Sequence, residues 1–219
     1  MKKNIILYSF IALLSGTAGC SDMLDEYPLD AISPETYYNN ADELRSATNQ
    51  FYGMFPGAAS GYTESADVVC TFNLPAEVQG IRTVPTSGGG WNWEYLRAAN
   101  FYLSHFFRAY FYFEKVKRFG EVPWFDRELS STDPELFRPR DSRDFIMDKI
   151  LDDLTYAINN ISDKKDLYNV THWTALALKS RICLFEGTYR KYHGIPGYEK
   201  FLDECATASK LFIDNAPYA

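Results

Sequence analysis

The chain has 219 residues, is 46% hydrophobic and 16% aromatic, and carries a formal net charge of −7 at neutral pH. That apolar content is enough for a packed domain and excludes a wholly disordered chain. An acidic balance without basic clusters excludes nucleic acid, and electrostatic docking on anionic membranes, as the main partner.

The first twenty residues have the order of an export leader. Lys2 and Lys3 precede an apolar run from Ile5 to Leu14, and Thr17-Ala18-Gly19 leads to Cys20 in the manner of a lipobox. The run is too short for a permanent membrane span. Residues 1–19 are expected to be a lipoprotein signal peptide, with the Cys20 thiol acylated. Residues 20–39 are an extended acidic lead in which Pro28 and Pro34 discourage helix.

From Asn40, read as the N-cap, the stripe Leu44, Ala47, Thr48, Phe51, Tyr52 and Phe55 predicts an amphipathic helix stopped by Pro56-Gly57. Residues 57–90 carry no sustained period and are rich in Gly and Pro, which predicts a long irregular excursion of the kind that holds binding groups. Neither Pro nor Gly interrupts Trp91 to Phe119, a helix of roughly 43 Å if continuous. Six of the eight residues from Phe106 to Phe113 are Phe or Tyr. Ala109, Tyr112, Phe113, Val116 and Phe119 share one stripe; Phe107, Tyr110 and Phe111 make a second flank, with Arg108, Lys115 and Arg118 between them. Two apolar flanks mark an inner member of a helical stack, capped by Gly120 and stopped by Pro123.

Residues 127–140 read as a charged connection, after which Asp141 or Ser142 caps a helix with the stripe Ile146, Ile150, Leu154, Ala157, Ile158 and Ile161. A further helix is expected from about Thr171 to Glu186, with Ala175, Leu178, Ile182, Phe185 and Tyr189 on one side and Ala177 and Leu184 on the other. After Gly187 a loop leads to a last helix over residues 198–215, carrying Phe201, Leu202, Cys205, Ala208 and Leu211. The fold class is all-α: an irregular, tetratricopeptide-like helical stack with long loops, lacking the strict 34-residue period.

The run FRAYFYFEKVKRFGEVPW resembles the most recurrent segment of the SusD/RagB family, surface lipoproteins of Bacteroidota that capture nutrients for TonB-dependent transporters. WNWEYLRAANFYL and the Asp152-Asp153-Leu154, Ala157-Ile158 wording are similar to the same family, which usually has a loop and part of a helix between the first two pieces. In this chain they join near His105-Phe106, either as one continuous helix or through an internal deletion. The resemblance covers nearly all of the sequence but only the N-terminal part of a typical member, so residues 40–219 are expected to be an incomplete SusD-like helical domain. It implies a non-catalytic glycan- or nutrient-binding protein, anchored in the outer membrane and exposed at the cell surface. Its partners would be a SusC-like TonB-dependent transporter and an oligosaccharide or peptide ligand. The acidic start of the mature chain, through Asp22, Asp25 and Glu26, resembles the export signal of such surface lipoproteins. The alternative is a helical-repeat scaffold that binds protein partners, or a truncated product without function.

Arg82, Trp91, Asn92 and Trp93 are the ligand-binding candidates: indole faces pack on sugar C–H faces while Arg and Asn bond hydroxyls. The competing reading is that the tryptophans staple the loop to the following helix. No catalytic residues and no cofactor are expected, because no carboxylate pair, phosphate loop or nucleophile elbow is marked. His105, His172 and His193 have no ligand-spaced partner, so no metal is expected. Asp152-Asp153 reads as a solvated charged face. Besides Cys20, the cysteines are Cys70, Cys183 and Cys205; the last two read as small core residues, with a bridge between them left open.

Overall fold

The computed structural model describes residues 40–56, 79–81, 83–84, 88, 90–101, 104–130 and 132–218. The leader, Cys20, the acidic lead, Cys70, Arg82 and most of the excursion lie outside the described residues. Two compact units are distinguished, Met1–Ala47 and Thr48–Ala219. Described residues of the first begin α1, Ala41–Thr48, where Asn40 acts as the expected cap: its Oδ1 accepts from Glu43 N at 2.9 Å.

The predicted single helix to Phe55 is corrected. After Thr48 the chain tightens into a 3-10 segment, Asn49–Met54, and Phe55 is extended. Asn49 and Gly53 are weak helix formers, and the tighter turn places Phe51 and Tyr52 5.1 and 5.4 Å from the Phe107 ring.

The second unit is all-α among the described residues: α2 Glu94–Phe101, α3 His105–Phe119, α4 Arg143–Asn160, α5 His172–Tyr192 and α6 Tyr198–Asn215. The helix does not run through from Trp91 to Phe119. Ser104, which is not helical, bonds through its N to Ala99 O at 2.9 Å, and Arg108 N bonds Ser104 O at 2.9 Å to open α3. This break lets Asn100 on α2 meet Arg108 on α3 side chain to side chain, at 3.2 Å.

Contacts give the helix directions. His105 and Arg108 meet Asp153, Arg143 meets Glu186, and Trp173 meets Phe212. Successive helices from α3 to α6 therefore run antiparallel, and α3 packs on α2, α4 and α5 as an inner member. Its predicted stripe is the centre of the core: Ala109, Tyr112, Phe113, Val116 and Phe119 are all buried. Ser142 caps α4 by accepting from Phe145 N, and Thr171 caps α5 in a reciprocal box with Thr174.

Helix α5 continues through Gly187 to Tyr192, beyond its expected end. Gly187 is there for close approach: a Cβ would lie 2.6 Å from Leu202 Cδ2 and 3.3 Å from Leu202 N. The second flank of α5 is also corrected. Leu184 is 51% exposed, whereas Leu176, Cys183, Gly187 and Arg190 are buried.

Charged residues are buried too. Glu186 is fully enclosed and accepts from Arg143 Nε and Nη2 at 3.0 and 2.7 Å and from Arg190 Nε at 2.8 Å, while Arg190 also pairs with Asp144. Asp153 is not on a solvated face: it is 4% exposed and accepts from Arg108 Nε and Nη2 at 2.7 and 2.6 Å and meets His105 Nδ1 at 2.6 Å.

Candidate functional site

The connection between α3 and α4 is a pinned loop. Gly120, with φ 75°, turns the chain out of α3 while its N–H bonds Val116 O at 2.9 Å. The loop returns where Asp141 N bonds Val122 O at 3.1 Å and Asp141 Oδ2 accepts from Trp124 N at 2.7 Å. Inside it, Tyr112 Oη accepts from Phe125 N at 2.6 Å, and Asn100 Nδ2 donates to Phe125 O and Arg127 O at 2.9 and 3.0 Å. Burial pushes the Tyr112 phenol above its ordinary value, so it stays neutral and available for that bond.

These restraints hold open a cavity of about 630 Å³. Trp91, Trp93 and Leu96 form one wall; Pro123, Phe125, Leu129 and Leu136 form another, with Asn100, Glu94, Arg127, Arg138 and Arg140 supplying the polar groups. Such a mostly apolar hollow with a few polar atoms is suited to an amphipathic small molecule.

Trp91 and Trp93 are half-buried and locked. Their rings meet edge to face at 5.2 Å; Trp91 packs on Phe119 at 4.6 Å, and Trp93 on Phe111 and Phe125 at 5.7 and 5.9 Å. They do staple the loop, but to α3 rather than to the helix that follows them. Lys115 completes the clamp by donating to Gly90 O at 2.5 Å, and burial lowers its pKa. One part of each indole is packing and another part lines the cavity.

Arginines divide into paired and unpaired. Arg127 bonds Asp133 at 2.8 Å, and Arg138 bonds Asp141 at 2.9 Å and Trp124 O at 3.2 Å. Arg140 lies 5.1 Å over the Trp91 ring and has no carboxylate partner among the described residues.

Asn92 does not join the tryptophans in this cavity. Its Oδ1 accepts from Glu94 N at 2.8 Å, capping α2, and its side chain lies in a separate small hollow with Tyr95 and Tyr110. Sequence reasoning missed Asn100, Phe125, Arg138 and Arg140. A signal existed for Asn100, which follows Trp93 by seven residues and so lies on the same face of α2. The histidines are structural: His172 Nδ1 donates to Ile158 O at 2.6 Å and His193 Nδ1 to Tyr189 O at 2.8 Å. Among the described residues no group of three or more His, Cys, Asp or Glu is placed to hold a metal ion.

Residues 94–184 match the model of a SusD-like family described as starch-binding and associating with the outer membrane. Among solved structures, the fold is similar to a SusD-like protein of Bacteroides fragilis NCTC 9343, with 22% identity and a TM-score of 0.57 over 85% of this chain and 41% of that one. A SusD homologue of Bacteroides thetaiotaomicron VPI-5482 gives 19% identity and a TM-score of 0.62 over 84% of this chain and 42% of the other. This chain thus spans about two fifths of the length of those proteins. No curated protein matches the sequence.

Proposed function

We propose that the chain is a SusD-like protein: a non-catalytic, lipid-anchored surface protein that binds a glycan and works with a SusC-like TonB-dependent transporter in polysaccharide uptake, a reading supported by the family-model match over residues 94–184. The observation that carries this reading is the cavity in which two fixed indoles stand beside the guanidinium of Arg140, which has no ion-pair partner among the described residues. A pyranose offers an apolar face to Trp91 and Trp93 and hydroxyls to Arg140 and Glu94. Because the rings are already immobilised by α3, binding costs little side-chain ordering. Cys20 would carry the lipid, and residues 20–39 would be the tether.

Isothermal titration of the purified chain against soluble starch and a panel of oligosaccharides tests it. A ligand should be found whose affinity falls roughly 3- to 10-fold in Trp91→Ala and in Arg140→Ala, as expected for one stacking or cationic contact. No binding across the panel, or equal binding by both variants, would remove the cavity from the function.

A further inference from the structure

We infer that Cys183 and Cys205 form a disulfide site that staples α5 to α6. Both thiols are free in the structure. The two helices meet along a seam of small residues with close contacts at two levels. At one level Ser180 Oγ lies 2.6 Å from Ser209 Oγ. At the other, Gly187 lies so near Leu202 that a Cβ would be 3.3 Å from the Leu202 backbone nitrogen.

Cys183 stands between Ser180 and Gly187 on α5, and Cys205 between Leu202 and Ser209 on α6. In an antiparallel pair these positions face one another, at the level between the two close contacts. Backbones that approach this closely can meet the Cα separation of roughly 4.4–6.8 Å that a disulfide needs. Cys205 Sγ is 3.6 Å from Ser180 Oγ, one turn from Cys183 on the same side of α5. Packing alone would be served by Ala or Ser at either position. Two thiols at facing places add a covalent option.

The co-reactant is a disulfide, either glutathione disulfide or an oxidised dithiol protein, of the kind an exported chain meets. Cys205 is half-buried, whereas burial pushes the Cys183 thiol up to about 12, so Cys205 is the entering nucleophile. Its thiolate attacks one sulfur of the oxidant, forming a mixed disulfide and releasing one thiolate. Cys183 then gives up its proton, attacks Cys205 Sγ and expels the second thiolate. The protein loses two electrons and two protons, and the oxidant's disulfide becomes two thiols.

The test treats the purified full chain with glutathione disulfide, quenches it with a maleimide under denaturing conditions, and digests it with trypsin. The expected product joins peptides 182–190 and 201–210, lighter by two hydrogens than their sum. Cys205→Ser and Cys183→Ser each abolish it and leave the remaining thiol maleimide-labelled. Both peptides recovered with single maleimides from oxidant-treated, folded wild type would overturn the site, as would linkage of either to Cys70. Neither readout depends on glycan binding.

Discussion

Asp153→Ala should destabilise the second unit by about 3–5 kcal/mol, the usual cost of removing one member of a buried ion pair. The carboxylate is 4% exposed and holds Arg108, itself 7% exposed, through bonds of 2.7 and 2.6 Å. Arg108 also reaches Asn100 Oδ1 at 3.2 Å and Asp126 O at 3.3 Å. Without Asp153 that guanidinium remains buried with only neutral acceptors, and it cannot reach water without disturbing Asn100 and the loop that Asn100 grips. For a chain of this size the loss corresponds to a fall in Tm of roughly 6–20 °C. Urea unfolding followed by far-UV circular dichroism gives the free energy directly. A double variant, Asp153→Leu with Arg108→Met, should recover most of the loss, since it removes both desolvated charges together. An Asp153→Ala midpoint within about 1 kcal/mol of wild type, or a double variant no better than the single, would refute the reasoning.

Two further outcomes follow from the geometry. Gly187→Ala should cost about 1–3 kcal/mol, because the new methyl meets Leu202 Cδ2 at 2.6 Å and Leu202 N at 3.3 Å; a thermal melt of the variant checks it, and an unchanged Tm would mean the α5–α6 seam is looser than described. Alkaline pH should unfold the protein: burial raises Cys183 from 9.0 and Tyr110 from 10.0, each to about 12, and moves Tyr112 up as well. The folded state then holds these protons more tightly than the unfolded state, so stability is complete below about pH 9 and falls as pH rises toward 12. Urea midpoints measured across that range should decline together with the appearance of tyrosinate absorbance, and a flat profile would contradict the burial of these groups.

The helices were legible because their apolar positions recur at the helical period, and that period reports only which side faces other protein. Thus Ile146, Ile150 and Leu154 of α4 and the aromatic stripe of α3 fell where expected. The same logic assigns every charge to solvent, which is why Asp153 and Glu186 were misplaced or passed over. Arg108, the partner of Asp153, lies 45 residues away and Arg143, one partner of Glu186, lies 43 away, so no local spacing links those pairs; only Arg190, four residues after Glu186, is a local partner. Helix ends depended on single tertiary contacts. Gly187 looked like a terminator because its role is to admit Leu202, a contact that belongs to another helix.

The two readings of Trp91 and Trp93, staple and ligand platform, are physically compatible. A ring that packs edge-on against Phe119, or tilted against Phe111, loses its rotational freedom during folding, yet it still presents area to the hollow beside it. The wall opposite is a loop rather than a helix, and its position depends on Asn100, Tyr112 and Asp141 holding its backbone. Asn100 is in turn held by Arg108, and Arg108 by Asp153 on α4. A substitution at Asp153 should therefore loosen the cavity from behind, without touching any residue that lines it. Conversely, Arg140→Ala should weaken ligand binding while leaving Tm nearly unchanged, because Arg140 is exposed and its contact is with the half-buried Trp91 ring, with no ion pair among the described residues. Comparing the two variants separates the scaffold from the binding face: only Asp153→Ala should lower both stability and affinity.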